Sequence, residues 1–128
     1  MSEARYRLDG RVAIVTGAGH GIGRATALEY ARAGASVACL DIEQEMLDET
    51  AALVRRVGDR VLALDVDVSN EAAVNAAVAR VMAELGAPTV LFSGAAVLDM
   101  GENILDLPLE RWNRIIAVNL TAAVVLCK

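Results

Sequence analysis

A cluster of glycines near the start of the chain has the spacing of a phosphate-binding turn. Residues 16–23 are Thr-Gly-Ala-Gly-His-Gly-Ile-Gly and follow directly on an apolar run. Glycines at such a turn let the chain bend tightly, let backbone N–H groups approach a pyrophosphate, and let the next helix pack closely on the strand. The helix N-terminus adds N–H donors and a positive partial charge. The turn therefore predicts a dinucleotide site, with a purely structural turn as the alternative; its residues are Gly17, Gly19, His20, Gly21, Ile22 and Gly23.

Asp41 is the second residue whose position suggests this chemistry. It closes an apolar run and comes 24 residues after Gly17, near the spacing of the acid that binds the adenosine ribose in dinucleotide sites. A carboxylate there accepts hydrogen bonds from the 2′- and 3′-hydroxyls and repels a 2′-phosphate. Ile42 follows it, where a basic side chain could have held that phosphate. We therefore predict NAD as the cofactor, with NADP disfavoured. The alternative is that Asp41 only caps the following helix.

Alternating strands and helices must position these residues. Short apolar runs predict strands at 12–16, 36–40, 61–66 and 89–92. Amphipathic spacing predicts helices at 21–33, 43–57, 71–85 and 109–128, with a loop at 93–108. On the first helix Arg24 is expected on the polar side, and Ser69 or Asn70 is expected to cap the third. The alternation predicts a single α/β domain over 1–128, with a doubly wound parallel sheet of about four strands.

Composition narrows the class of protein further. Hydrophobic residues make up 55% of the chain and aromatic residues 3%, so the core must consist of small aliphatic side chains. The net charge of −5, without a Lys/Arg cluster, argues against nucleic acid or an anionic membrane as partner. The most apolar stretch, 115–127, is shorter than the ~20 residues of a membrane span. Cys39 and Cys127 match no metal or disulfide spacing; we expect both to be buried, in a cytoplasmic protein.

The pattern Gly-x-x-x-Gly-x-Gly at 17–23, with the lead-in Leu-Asp-Gly-Arg-Val-Ala at 8–13, resembles the short-chain dehydrogenase/reductase family. The resemblance covers essentially the whole chain. It implies a Rossmann-type fold and NAD(P)-dependent hydride transfer between nicotinamide and a small alcohol or carbonyl substrate. Family members are roughly twice as long, so the resemblance implies that this chain is the N-terminal, cofactor-binding half. His20 stands where NADP-binding relatives often have Arg or Lys, which again favours NAD.

The resemblance assigns three further parts of a site. Asp67 and Val68 match the Asp-Val pair whose carboxylate and backbone N–H bind the adenine edge, although Asp65-Val66 has the same letters. Ser93, Gly94 and Ala95 stand where relatives have Asn-Asn-Ala and approach the cofactor ribose, but here the side-chain amides are lost. Asn119 matches the mid-helix Asn that supports a proton relay through water, and it is our one candidate catalytic residue. The alternatives are a capping Asp67 and an exposed, ordinary Asn119.

The family's catalytic Ser, Tyr and Lys have no counterparts in these residues. The two tyrosines are Tyr6 and Tyr30, and the one lysine is Lys128. We therefore predict that the 128 residues are inactive by themselves. Two other hypotheses stay open: a non-catalytic module that binds dinucleotide or pairs with another copy through the last helix, and a truncation product without its own function. The last helix is apolar nearly all round and has no stop signal, so an exposed apolar patch and a homo-oligomer are expected.

Overall fold

The computed structural model of the chain describes residues 6–58, 60–98, 101 and 103–128. Within these residues four strands form one parallel sheet in the order β3-β2-β1-β4. The strands are β1 (Val12–Thr16), β2 (Ser36–Asp41), β3 (Val61–Asp65) and β4 (Val90–Ser93). The helices are α1 (Gly21–Arg32), α2 (Gln44–Val57), α3 (Glu71–Glu84), α4 (Leu109–Ile116) and α5 (Ala122–Cys127), with a π-helical segment, Ala117–Thr121, between the last two. The predicted doubly wound α/β sheet is confirmed.

The sheet has a core on each face because β1 and β2 are buried along nearly their whole length. Alternate residues of a strand point to opposite faces. Thus Val12 and Ile14 join the core beneath α3 and α5, whereas Ala13 and Val15 join the core beneath α1 and α2. The α1 side of the second core consists of alanines, which let that helix lie close to the sheet; they are Ala27 and Ala31, with Ala35 just beyond the helix.

Local signals at the helix ends agree with the sequence. Gly34, just after α1, has φ of +100°, a conformation that favours glycine. Asn70 is the residue that caps α3, because its side-chain oxygen accepts a hydrogen bond from the N–H of Ala73 at 3.0 Å. Of the two residues considered for this cap, the structure selects Asn70.

The C-terminal third departs from the sequence predictions in two respects. The predicted single helix is helical throughout but contains the π segment at Ala117–Thr121. Cys127 is exposed, so the expectation that both cysteines are buried is wrong for this one. Cys39 is buried in β2, and burial raises the pKa of its thiol to about 12. None of the helices among the described residues is both long and apolar enough to cross a membrane.

Candidate functional site

A cavity of about 390 Å³ opens at the edge where the parallel strands end. Ligand sites in open parallel sheets lie at this edge, next to the point where the strand order reverses. Here the order reverses between β1 and β4, the two strands that precede the glycine turn and the Gly94 loop. Eight of the predicted site residues line the cavity: Gly17, His20, Asp41, Ile42, Asp67, Val68, Gly94 and Ala95. The structure therefore brings together residues that lie far apart in the sequence.

The predicted residues Gly19, Gly21, Ile22, Gly23, Ser93 and Asn119 do not line the cavity. Four of them belong to the glycine turn and the first turn of α1, and the other two lie on elements that support the Gly94 loop. His20 precedes α1 without a side-chain cap on the helix. The first N–H groups of a helix have no partner within it, so this N-terminus is available to an anion.

Two glycines of the turn are required by close packing. Gly17 has φ of +66°, and a Cβ there would come within 2.8 Å of the Gly94 carbonyl carbon and oxygen. At Gly23 a Cβ would overlap the carbonyl group of Gly17. These glycines therefore hold α1, the turn and the Gly94 loop together, as expected for close packing of helix on strand.

Asp41 is bound to the glycine turn. Its side chain is buried, and Oδ2 accepts a hydrogen bond from the N–H of Gly19 at 2.8 Å. Its Oδ1 accepts another from the N–H of Glu43 at 3.0 Å, at the start of α2. A Cβ on Gly19 would lie 2.8 Å from Oδ2, so Gly19 makes room for this carboxylate. Asp41 thus bonds to Glu43, the residue just before α2, and not to an N–H within that helix, whose N-cap has no side-chain hydrogen bond. It also lines the cavity.

Arg24 stabilises the glycine turn by hydrogen bonds. Its Nη2 donates to the carbonyl of Gly19 at 2.6 Å and its Nε donates to the Thr50 hydroxyl at 2.9 Å. Thr50 in turn donates to the carbonyl of Ala18 at 2.8 Å. The turn carbonyls are thus bonded to side chains of α1 and α2. The side chain of Arg24 is 24% exposed, and its Nε and Nη2 donors are already hydrogen-bonded within the protein. The contacts of Arg24 are therefore with the glycine turn and with α2.

Thr16 fastens the Gly94 loop to β1. Its hydroxyl is fully buried and accepts hydrogen bonds from the N–H groups of Gly94 at 3.0 Å and Ala95 at 3.2 Å. Backbone groups thus connect this loop to the strand, although the side-chain amides of the related motif are absent from Ser93 and Gly94. A Cβ on Gly94 would lie 2.8 Å from the carbonyl oxygen of Thr16, so only glycine fits here without movement.

Asp67 lines the cavity, whereas the alternative Asp65 is exposed and does not. Asp67 Oδ1 accepts hydrogen bonds from the N–H of Ser69 at 3.0 Å and from its hydroxyl at 2.7 Å. Arg114, on α4, approaches Oδ2 at 3.2 Å. The Ser69 hydroxyl lowers the pKa of the Asp67 carboxyl most, and the Ser69 N–H and Arg114 lower it further against the opposing effect of desolvation. The carboxylate is therefore kept ionised at neutral pH.

Asn119 lies in the π-helical segment and makes a two-point contact with Val97. The N–H of Val97 donates to Asn119 Oδ1 at 2.7 Å, and Asn119 Nδ2 donates to the carbonyl of Val97 at 2.9 Å. Val97 lines the cavity, so Asn119 fixes one of its walls. Asn119 is exposed, as the alternative interpretation expected, but its amide has two partners within the protein. The proton-relay role stays a prediction.

Sequence reasoning missed Thr16, Thr50 and Arg114, and it assigned Arg24 no contact. Thr16 stands next to the glycine turn and could have been noticed for that reason. Arg114 lies 47 residues from Asp67, and no local pattern connects the two.

A parallel sheet with a glycine turn after β1 and a buried acid at the end of β2 defines the dinucleotide-binding class of α/β proteins. The comparison with protein families specifies it further: the model of the short chain dehydrogenase family matches residues 11–128. The chain belongs to this family.

Related proteins of known sequence support this family membership. EphD of Mycobacterium tuberculosis is 41% identical over 114 residues, which are 89% of this chain and 19% of EphD. The short chain dehydrogenase/reductase dpmpG of Macrophomina phaseolina is 35% identical, over 94% of this chain and 70% of dpmpG. Short-chain dehydrogenase reductase 3c of Arabidopsis thaliana is 38% identical, over 95% of this chain and 46% of that protein. The chain therefore spans from 19% to 70% of the length of these relatives.

Solved structures show the same fold over about half of their length. An NAD+-bound xylitol dehydrogenase superposes with a TM-score of 0.88 at 34% identity, covering 93% of this chain and 46% of the other. Carveol dehydrogenase from Mycobacterium avium, in complex with NAD, superposes with a TM-score of 0.87 at 30% identity, covering 94% and 48%.

Proposed function

We propose that the chain binds NAD(H) and forms the cofactor-binding half of an NAD-dependent oxidoreductase that acts on a small alcohol/carbonyl pair. The observation that carries this is the placement of Asp41 against Gly19 at the rim of the cavity. Membership in the short chain dehydrogenase family supports the reaction class, and NAD-bound xylitol and carveol dehydrogenases support the cofactor. When bound, the nicotinamide ring supplies or accepts the hydride.

Each part of the cavity edge fits a part of a dinucleotide. The uncapped start of α1 and the Gly17–Gly23 turn suit the pyrophosphate, because N–H groups and the helix dipole favour an anion. Asp41 suits the ribose hydroxyls, and Asp67 with Val68 suits the adenine edge. Gly94 and Ala95, which line the cavity, and Ser93 before them suit the second ribose, since Gly94 has no side chain that would keep the cofactor from the backbone. The volume lies within the ~300–1,000 Å³ of small-molecule sites.

The preference for NAD over NADP follows from the charge of Asp41. A 2′-phosphate would lose a hydroxyl contact and meet a carboxylate that Gly19 and Glu43 hold in place. Arg24 is already bonded to Gly19 and Thr50, so turning to a phosphate would cost it those contacts. We further propose a cytoplasmic location, because Cys39 and Cys127 are free, as is usual in a reducing compartment.

Titration of the chain with NAD+ and NADP+ by calorimetry tests this proposal. We expect NADP+ to bind at least about tenfold more weakly, since the repulsion and lost hydrogen bond cost more than ~1.4 kcal/mol. Asp41→Asn should reduce the difference in affinity between NAD+ and NADP+, because the amide carries no negative charge. Asp48→Asn on the outer face of α2 is the matched control and should leave it unchanged. Equal or tighter binding of NADP+ by the unmodified chain would reject the role of Asp41 and point to His20 or Arg24.

A further inference from the structure

Arg114 extends from α4 to the turn between β3 and α3. Its Nη1 donates to Asp67 Oδ2 at 3.2 Å and to the Ser69 hydroxyl at 2.5 Å, and it lies 3.4 Å from Asp67 Oδ1. Arg114 and Asp67 both line the cavity. The bridge therefore joins two elements that are distant in sequence, directly at the predicted adenine subsite.

The two carboxylate oxygens of Asp67 are used unequally. Oδ1 accepts both the N–H and the hydroxyl of Ser69. Among the described residues, Oδ2 accepts a hydrogen bond from Arg114, at 3.2 Å. A carboxylate oxygen has about two lone-pair sites. Oδ2 therefore keeps acceptor capacity, while the rotation of the carboxylate is fixed by the bonds of Ser69 to Oδ1 and by the guanidinium of Arg114.

The ion pair between Arg114 and Asp67 contributes little to the stability of the fold. The two side chains are 42% and 37% exposed, and pairs so accessible to water contribute little to folding. Its effect is on the state of Asp67. A base that covered the site would remove water from the carboxylate and favour its protonation. The adjacent Ser69 donors and the positive charge of Arg114 oppose that change, so Asp67 stays a pure acceptor.

We propose that Arg114 is a positioning residue for recognition of the base: it holds Asp67 as an oriented, ionised acceptor, so that the site selects a purine with an exocyclic amino group. The proposal rests on the proposed binding of NAD(H). Adenine has this amino donor, whereas hypoxanthine has a carbonyl oxygen in its place, which would face the carboxylate with no proton to share. Replacing that donor removes a hydrogen bond to a charged acceptor, a loss larger than that of an ordinary hydrogen bond.

The test compares NAD+ with nicotinamide hypoxanthine dinucleotide by calorimetry. The unmodified chain should prefer NAD+ by about tenfold, the ratio expected from one charge-assisted hydrogen bond. Arg114→Met should reduce the preference by at least about twofold, since Ser69 still holds Oδ1, and Arg114→Lys should reduce it less because a positive charge remains. Arg80→Met is the matched control, since Arg80 pairs with Glu84 on the surface of α3, and it should keep the full ratio. In an Asp67→Asn background, Arg114→Met should change the ratio no further.

A purely structural role for Arg114 would lower both affinities equally, so an unchanged ratio in Arg114→Met overturns the proposal. A second measurement does not need a nucleotide: titration of Asp67 in the free chain by NMR should show a higher carboxyl pKa in Arg114→Met than in the unmodified chain. An unchanged Asp67 pKa also overturns the proposal. If the unmodified chain binds neither dinucleotide, the proposed function fails, and the Asp67 titration alone then decides whether Arg114 holds the carboxylate.

Discussion

Thr16 shows how one buried hydroxyl can organise the edge of a sheet. It accepts two N–H groups from the loop after β4. Thr16→Val keeps the shape of the side chain but leaves both donors without this acceptor. We expect the free energy of unfolding to fall by about 1–2 kcal/mol, measured by urea denaturation. NAD+ affinity should fall as well, because the Gly94 loop is released.

Thr26→Val is the control for this substitution. The Thr26 hydroxyl donates to the carbonyl of Ile22 on the outer side of α1, so its loss should change stability by less than about 0.5 kcal/mol. Equal effects of the two substitutions would mean that the double acceptor at Thr16 does not stabilise the loop.

Among the site residues, the sequence predicted those whose positions follow from local spacing. The glycines and Asp41 were found because their spacing follows from the length of one strand–turn–helix unit. Thr50, Arg114 and the contacts of Arg24 were not, because each depends on how two elements meet in space. Arg24 bonds to Gly19 and Thr50 across the α1–α2 contact, and neither partner follows from helical periodicity.

Gly23, in the first turn of α1, packs directly against the glycine turn. Gly23→Ala would normally stabilise a helix by ~0.5–1 kcal/mol. Here the added Cβ would overlap the Gly17 carbonyl, so the helix must move away from the turn. We expect a net loss of about 1–3 kcal/mol in the free energy of unfolding, together with a large loss of NAD+ affinity.

The reverse change on the exposed side of the same helix, Ala25→Gly, separates packing from helix propensity. It should cost about 1 kcal/mol and leave NAD+ affinity nearly unchanged. A Gly23→Ala chain that is more stable than the unmodified one would show that helix propensity outweighs the contact with Gly17.

The bounds of the strands and of the first three helices agree with the predictions to within a residue, because glycines and caps mark their ends. The π segment at Ala117–Thr121 was not predicted. A π-helix has one more residue per turn than an α-helix. Because the sequence there is apolar on nearly every side, its hydrophobic periodicity cannot show where the extra residue is inserted. Asn119 meets Val97 from within this segment.

The whole molecule exposes large apolar side chains on its C-terminal third. Leu109 is 77% exposed, Leu120 62% and Val124 63%. At ~25 cal/mol per Å², covering a few hundred Å² is worth several kcal/mol. We expect the chain to self-associate through the face of α4, the π segment and α5, as detected by sedimentation velocity.

Leu120→Glu with Val124→Glu should shift the chain toward monomer, whereas Met82→Glu, at a 55% exposed position on α3, should not. A monomeric unmodified chain at high concentration would contradict this prediction.

Catalysis is also a property of the whole molecule. Among the described residues that line the cavity there is no Tyr or Lys. Tyr30 packs against the core beneath α1, and Lys128 lies near Glu71 at 3.9 Å. Because a general acid or base contributes ~10²–10⁴-fold, we expect the 128-residue chain to show no NADH oxidation with a panel of ketones.

That assay needs protein purified free of related host enzymes. Turnover that persists after this purification and disappears in Asn119→Ala would reject the prediction, and it would make Asn119 part of an arrangement that works without Tyr and Lys.

The central position of β1 has a consequence for synthesis. One edge of β1 is filled by β2, which follows it almost at once, but the other waits for β4, and Thr16 lies 78 residues before its partner Gly94. Ribosomes add about 5–20 residues per second, so that edge stays open for several seconds in each nascent chain. An open apolar edge can pair with another nascent chain or recruit a chaperone. The longer translation takes to reach β4, the longer this edge of β1 can pair with another chain.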